Sequence, residues 1–147
     1  MITNPPNAYA LIHGSKSHPD IWGIVKFYST PYKGLTVCAE IFNLPIYSPN
    51  GAPSFFGFHI HETGDCSDNF ANTGGHYNPD KQTHPFHVGD LPPLMSSDGY
   101  AFMCVYVRQL NLKEIFGRSV IIHSQADDFT SQPSGNSGEK IACGVIE

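Results

Sequence analysis

Apolar and polar side chains alternate along much of this chain with a period of two, which is the spacing of half-buried β-strands. The clearest case is residues 35–43, in which every second side chain from Leu35 to Ile41 is apolar. The segments predicted as strands are rich in Val, Ile, Phe and Tyr and are bounded by Gly, Pro, Asn and Ser. They are residues 8–13, 21–29, 35–43, 55–61, 100–107, 119–123 and 141–146.

Helical periodicity is weak throughout, and the best helical candidate is the short segment 107–116. Short strands separated by 14 Gly and 12 Pro residues favour an antiparallel β-sandwich or barrel. Two polar stretches, 62–93 and 124–140, have little strand character. Loops of that length in a compact domain are usually functional or disordered. Histidines flank and fill the first stretch, which favours a functional loop.

Composition is consistent with one globular domain spanning residues 1–147, since 40% of residues are apolar and 14% are charged. A net charge of −5 with no basic stripe argues against a nucleic-acid partner. No apolar run approaches the ~20 residues of a membrane helix, so no membrane partner is expected. Residues 1–14 lack the basic start and the apolar stretch of a signal peptide. Either the protein is cytosolic or an export signal has been removed, so the compartment stays open.

Histidines occupy positions typical of metal ligands. His59 and His61 lie two apart in a predicted strand, so both imidazoles share one face and can bind one ion. His87 precedes Asp90 by three residues, and His123 ends an apolar strand where an aliphatic side chain would be expected. The candidate ligands are His59, His61, His76, His84, His87, His123 and Asp90.

Six histidines and one aspartate suit two ions of different character. A nitrogen-rich set fits tetragonal Cu(II), and three histidines with one aspartate fit tetrahedral zinc. The remaining histidines, His13 and His18, are interpreted as solvated side chains outside any site. The four cysteines form no C-x-x-C pair, which excludes a zinc ribbon or a thioredoxin-type motif.

Five blocks of sequence occur in a defined order from residue 57 to the C-terminus. Together they resemble the copper/zinc superoxide dismutase family, and five blocks in register are far more specific than any one of them. The blocks are Gly57-Phe58-His59-Ile60-His61-Glu62, Gly74-Gly75-His76-Tyr77-Asn78-Pro79, His87-Val88-Gly89-Asp90-Leu91, His123 with Ala126-Asp127-Asp128, and Ala142-Cys143-Gly144-Val145-Ile146.

The resemblance implies a Greek-key antiparallel β-barrel with two long functional loops and a metal site on its outside. It implies that Asp127 hydrogen-bonds one histidine of each metal site and that Cys66 and Cys143 form a disulfide. Cys38 and Cys104, which lie inside predicted strands, are expected to be buried free thiols. The copper ligands implied are His59, His61, His76 and His123, and the zinc ligands implied are His76, His84, His87 and Asp90.

The activity implied is dismutation of superoxide to dioxygen and hydrogen peroxide by cycling between Cu(II) and Cu(I). His76 would bridge both ions, release copper and take up a proton in the cycle. The family places an arginine three residues before its second disulfide cysteine to guide the anion, and this chain has Lys140 there. A second departure is the short His84 to His87 spacing, where the family loop is usually longer. The oligomeric state, including a homodimer, stays open.

Two alternatives are weighed against the dismutase. The first is a barrel of the same family that binds copper or zinc without dismutating superoxide. Relatives of that kind lack a copper ligand or the guiding cation, whereas this chain has all four copper-ligand positions and a cation. The second is an immunoglobulin-like sandwich. That class needs a Trp between two cysteines, and the only tryptophan, Trp22, precedes every cysteine.

Overall fold

The computed structural model describes residue 2 and residues 4–147. Within these residues the chain forms nine β-strands that pair antiparallel throughout, together with one short helix and one 3₁₀ segment. The strands are β1 (Ala8–Gly14), β2 (Trp22–Ser29), β3 (Leu35–Phe42), β4 (Ser54–Phe56), β5 (Phe58–His61), β6 (Leu94–Ser97), β7 (Tyr100–Val107), β8 (Ser119–His123) and β9 (Lys140–Val145); the helix is α1 (Leu112–Ile115) and the 3₁₀ segment is Asp68–Thr73.

The sheet is rolled into a nearly closed barrel. Its strand order is β4-β6-β7-β3-β2-β1-β9-β8-β5, so the chain crosses over to pair β3 with β7 and β1 with β9, as in a Greek key. β4 and β5 lie at opposite ends of this order, yet only Gly57 separates them in the sequence. The two edges of the sheet must therefore meet at Gly57, which confirms the predicted antiparallel Greek-key barrel.

Gly57 also explains why the predicted strand 55–61 is two strands. Its N–H donates to the carbonyl of Gln125 at 2.7 Å, and its carbonyl accepts from the His123 N–H at 2.8 Å. A Cβ at this position would lie 2.7 Å from the Ser137 side chain, so a larger residue would displace the second long loop, residues 124–140. The glycine thus joins the barrel edge to the loop that reaches the site.

The barrel interior is filled by alternate side chains of the strands. Phe27 of β2, Ile41 of β3 and Ile60 of β5 are fully buried. Each such side chain contributes about 1.5–3 kcal/mol by leaving water. The interior therefore holds β5 and β8 rigidly, and these two strands carry three of the candidate ligands.

Two elements differ from the sequence prediction. Strand β6, at Leu94–Ser97, was not predicted because it is only four residues long and follows two prolines. Helix α1 covers only Leu112–Ile115 of the predicted helical segment, and the Asn111 side chain caps it by accepting from the Lys113 N–H. In the part of the chain that is described, no helix is both long and apolar enough to cross a membrane.

The prediction for Cys38 and Cys104 is wrong, because the structure joins them in a disulfide. They are directly opposite in the β3–β7 ladder, which brings their Cα atoms to 4.1 Å. Both point to the outer face of the barrel, where Cys104 is exposed and Cys38 is half-buried. The structure also joins Cys66 to Cys143, the pair that the resemblance implies.

Candidate metal centre

Two adjoining groups of side chains have the spacing that a metal ion requires. Within each group the candidate ligand atoms all lie within 4.8 Å of one another, and every histidine involved is buried. His76 belongs to both groups, so its ring lies between them. The four-histidine group is His59, His61, His76 and His123, and the histidine–aspartate group is His76, His84, His87 and Asp90.

Pairing of β5 with β8 assembles most of the four-histidine group. His59 and His61 lie on β5, and His123 is the last residue of β8, next to Gly57 at the start of β5. As a result Nε2 of His61 and Nε2 of His123 are 3.3 Å apart, although the two residues are 62 positions apart in the sequence.

The first long loop, residues 62–93, is fixed to β5 by backbone hydrogen bonds around Ile60. The Tyr77 N–H donates to the Ile60 carbonyl at 2.8 Å, and the Ile60 N–H donates to the Gly89 carbonyl at 2.8 Å. A Cβ on Gly89 would lie 2.2 Å from the Ile60 carbonyl oxygen, so only glycine permits this approach. These contacts place His76 beside His61 and Asp90 beside His59.

Backbone carbonyls fix the orientation of two rings in the four-histidine group. Nδ1 of His61 lies 2.9 Å from the Gly74 carbonyl, and Nδ1 of His123 lies 3.3 Å from the Gly138 carbonyl. A carbonyl only accepts, so each Nδ1 carries the proton and each Nε2 presents a lone pair. Two lone pairs therefore face each other across 3.3 Å, an arrangement that a cation between them would stabilise.

Two further ring atoms of this group are buried and have no hydrogen-bond partner among residue 2 and residues 4–147. They are Nδ1 of His59 and Nε2 of His76. The opposite nitrogen of each ring is held by a carboxylate: Nε2 of His59 by Asp127 at 2.7 Å and Nδ1 of His76 by Asp90 at 2.7 Å. Since buried polar atoms are rarely unpaired, these two nitrogens have the chemistry expected of metal-ligand atoms.

In the histidine–aspartate group, three Nδ1 atoms converge on one carboxylate. Oδ1 of Asp90 accepts from His76, and Oδ2 lies 3.0 Å from Nδ1 of His84 and 3.3 Å from Nδ1 of His87. The His84 contact lacks hydrogen-bond geometry, and in the described part of the chain that nitrogen has no other partner. The short spacing between His84 and His87 therefore still brings both rings to Asp90.

Asp127 connects the two groups from outside. Its Oδ2 accepts from Nε2 of His59 at 2.7 Å, and its Oδ1 accepts from Nε2 of His84 at 2.8 Å. The Phe129 N–H also donates to Oδ1, at 2.7 Å, which fixes the carboxylate. Gly135 lies directly against this carboxylate, and a Cβ there would be 2.1 Å from Oδ1. Such outer carboxylates hold ligand histidines in one tautomer and one orientation.

Burial controls the charge of the site. Loss of solvation lowers the pKa of His59 to about 4, of His61 to about 2 and of His123 to about 3. These rings are therefore neutral at neutral pH, as a metal ligand must be. Burial acts to raise the pKa of Asp127, but hydrogen bonds from His59 and His84 outweigh it, and the pKa of that carboxyl is lowered.

Lys140 begins β9 beside the four-histidine group. Its Nζ donates to the Phe70 carbonyl at 3.3 Å, to Oγ1 of Thr73 at 2.9 Å and to the Gly74 carbonyl at 3.1 Å. An ammonium group has three N–H donors, and all three are used here. Burial lowers the pKa of Lys140 from its usual value. The side chain thus places a cation near the site and also holds the first long loop.

The carbonyls of Gly74 and Gly138 contribute to the site and were not predicted from the sequence. Every residue carries a carbonyl group, so these roles leave no mark on residue type. The nearest signal was Gly74 itself, which has φ +74° and precedes His76 by two residues. The seven predicted metal ligands all belong to one or both groups, Asp127 and Lys140 lie against them, and Cys66 and Cys143 form their disulfide outside both.

A nearly closed antiparallel barrel with two adjoining histidine-rich groups that share one imidazole defines a class of metal-binding β-barrel proteins. The family described as copper/zinc superoxide dismutase (SODC) matches residues 21–146 of this chain. The chain is 35% identical to a superoxide dismutase [Cu-Zn] of Legionella pneumophila over 94% of its length and 85% of the relative's. It is 31% identical to a superoxide dismutase [Cu-Zn] of Onchocerca volvulus over 95% of its length and 94% of the relative's.

A solved structure shows the same similarity in three dimensions. The crystal structure of a double mutant of a SOD-like protein from Bacillus subtilis has a TM-score of 0.81 and 33% identity, covering 92% of this chain and 94% of that one. The chain belongs to the copper/zinc superoxide dismutase family.

Proposed function

We propose that this protein is a superoxide dismutase that converts two superoxide anions and two protons to dioxygen and hydrogen peroxide. The observation that carries the proposal is the set of buried ring nitrogens in the two adjoining groups that share His76. Several of these nitrogens have no hydrogen-bond partner within the residues that the structure describes. Membership of the family supports the same conclusion.

The donor sets fit copper and zinc. Four imidazole nitrogens suit tetragonal Cu(II), and three imidazole nitrogens with one carboxylate suit tetrahedral zinc. We assign copper to His59, His61, His76 and His123, and zinc to His76, His84, His87 and Asp90. When bound, copper supplies a one-electron couple that alternately accepts an electron from superoxide and returns one, whereas zinc supplies a fixed charge without redox chemistry.

His76 is the catalytic proton carrier in this proposal. Its Nδ1 contacts Asp90 of the histidine–aspartate group, and its Nε2 has no hydrogen-bond partner among the described residues. Nε2 can therefore hold a proton in one half of the cycle and give it up to the developing peroxide in the other. Asp90 lies 2.7 Å from Nδ1 of the same ring, and both would ligate the zinc, which would keep the ring in place.

Lys140 is proposed to attract the substrate. The chain has a net charge of −5, so its overall field repels superoxide, and a local cation at the site is needed to offset that repulsion. Because all three donors of Nζ are already bonded, the lysine acts as a point charge and does not dock the anion through paired hydrogen bonds.

The test is to load the protein with copper and zinc, measure both metals per chain, and measure dismutation by stopped flow. One copper and one zinc per chain together with fast turnover are expected. The control is His18→Ala, which removes a histidine outside both groups and should leave metal content and rate unchanged. Full metal loading without turnover would favour the alternative, a metal-binding protein of the same family that is not a dismutase.

A further inference from the structure

The two disulfides lie in very different surroundings. Cys143 is fully buried and packs against Phe70 and Ile121. Cys104 is exposed on the outer face of the barrel, and its partner Cys38 is half-buried. Cys66, the partner of Cys143, is half-buried like Cys38, so the two bridges differ in their second cysteine. Thiol–disulfide exchange requires a thiolate to reach a sulfur atom, so the Cys38–Cys104 pair, with its exposed Cys104, is the more accessible one.

A groove of about 440 Å³ runs over this outer disulfide. Both cysteines line it, together with Lys26, Glu40 and Phe102. Such a groove can hold a molecule the size of a small thiol. Its lining combines an apolar ring with charges of both signs, which suits a short peptide-like thiol such as glutathione.

Strand register makes the two sulfurs chemically unequal. Lys26 of β2 is directly opposite Cys38, and Cys38 is directly opposite Cys104, so the three residues form one row on the outer face. Among the described residues, the β6–β7 ladder covers only Tyr100 and Ala101, so no paired strand flanks Cys104 on its other side. A nucleophile that approaches along the S–S axis therefore has access to Cys104, whereas the far side of Cys38 is occupied by β2.

We propose that the Cys38–Cys104 disulfide is a thiol–disulfide exchange site for low-molecular-weight thiols, with attack at Cys104 and departure of Cys38. The thiolate of the small thiol attacks Sγ of Cys104, the Sγ–Sγ bond breaks, and Cys38 leaves with the electron pair as a thiolate. Lys26 stabilises that thiolate by its charge. A second small-thiol molecule then attacks the mixed disulfide at the sulfur atom that came from the first small thiol. This step releases the disulfide of the two small thiols and leaves Cys104 as a thiolate.

This site is independent of the proposed dismutase activity, because neither cysteine belongs to either ligand group. The experiment uses the metal-loaded protein and increasing concentrations of reduced glutathione. The reaction is stopped with an alkylating reagent, and each cysteine is quantified by peptide mass spectrometry. Cys38 and Cys104 should be reduced before Cys66 and Cys143, and the glutathione adduct should be found on Cys104. Prior reduction of Cys66–Cys143, or an adduct confined to Cys38, would overturn the proposal.

Lys26→Met tests the role of the cation without disturbing the barrel interior. We expect reduction to slow about two- to fivefold, since an exposed charge pair has a modest effect. Lys113→Met removes the same charge from α1 and should leave the rate unchanged. The slowing should also occur with 2-mercaptoethanol, which carries no charged group besides its thiolate. Slowing with glutathione alone would show that Lys26 attracts the reductant, and the leaving-group role would be wrong.

Discussion

Lys140 and His61 donate hydrogen bonds to the same atom, the carbonyl oxygen of Gly74, at 3.1 and 2.9 Å. The cation proposed to attract substrate is therefore bonded to the group that orients a proposed copper ligand. A substitution at Lys140 acts on two things, the local charge and one of the two hydrogen bonds to the Gly74 carbonyl. Experiments at this residue need one readout for each.

Lys140→Glu is expected to lower the dismutation rate about three- to tenfold or more at low ionic strength, because it reverses the local field that opposes the net charge. Lys140→Arg keeps the charge and should be neutral or faster. Added salt should slow the wild-type protein and reduce the difference between the variants. Metal content, measured in parallel, should not change. Equal low-salt rates for Lys140→Glu and wild type would remove Lys140 from the mechanism.

The copper ligands can be tested one at a time. His61→Ala or His123→Ala should abolish dismutation, because each removes one of four nitrogens while leaving the apolar interior intact. Circular dichroism should show a largely unchanged fold, and the electron paramagnetic resonance spectrum of the copper-loaded variant should show fewer nitrogen ligands. Near wild-type turnover in His123→Ala would refute the assignment of this histidine to copper.

Asp127→Asn tests the link between the two groups. An amide has one oxygen and one NH₂, so it can accept from His59 or from His84 but not from both. Affinity for at least one metal should fall about 10- to 100-fold, as for other outer partners of ligand histidines. Asp128→Asn is the matched control, since the exposed Asp128 carboxylate, as far as the structure describes the chain, bonds only Thr130 and Ser131. Equal losses of metal affinity in the two variants would show that the effect arises from a change in the loop and not from the hydrogen bonds to His59 and His84.

The metal-free protein should lose stability as pH falls through the range just below 6.5. His59, His61 and His123 have pKa values of about 4, 2 and 3 in the folded protein, compared with about 6.5 in an unfolded chain. Between these values the unfolded chain binds protons that the folded protein does not, so the unfolding free energy rises with pH. Urea unfolding after removal of metals should give an unfolding free energy at least about 2 kcal/mol lower at about pH 5 than at about pH 7.5. An equal or higher value at the lower pH would contradict the burial of neutral rings.

The strand pattern predicted most of the barrel, because alternation reports directly which side chains face the interior. It could not show the break at Gly57, which depends on backbone hydrogen bonds with the distant Gln125 and His123. For Cys38 the same alternation carries a signal that contradicts the expected buried thiol. Cys38 alternates in phase with Thr36 and Glu40, the polar face of β3, so its outward position is visible in the sequence.

The candidate site was predictable where chemistry depends on residue type and hidden where it depends on the backbone. Histidines at strand ends and beside glycines indicate metal binding through their residue type and spacing alone. The proton positions on His61 and His123 are set by the carbonyls of Gly74 and Gly138, which sequence cannot distinguish from any other carbonyls. The pairing of cysteines likewise depends on register, which only the folded sheet defines.

The hydrogen bonds that fix the first long loop to Ile60 also cover one edge of the sheet. An exposed strand edge is a template for pairing with another chain, and proteins protect such edges with short strands or with covering segments. At one end of the strand order β4 has only three residues, and at the other the loop covers β5. The loop that supplies His76 and Asp90 is therefore also a barrier to self-association. Conditions that loosen it should promote aggregation of the protein as well as loss of metal.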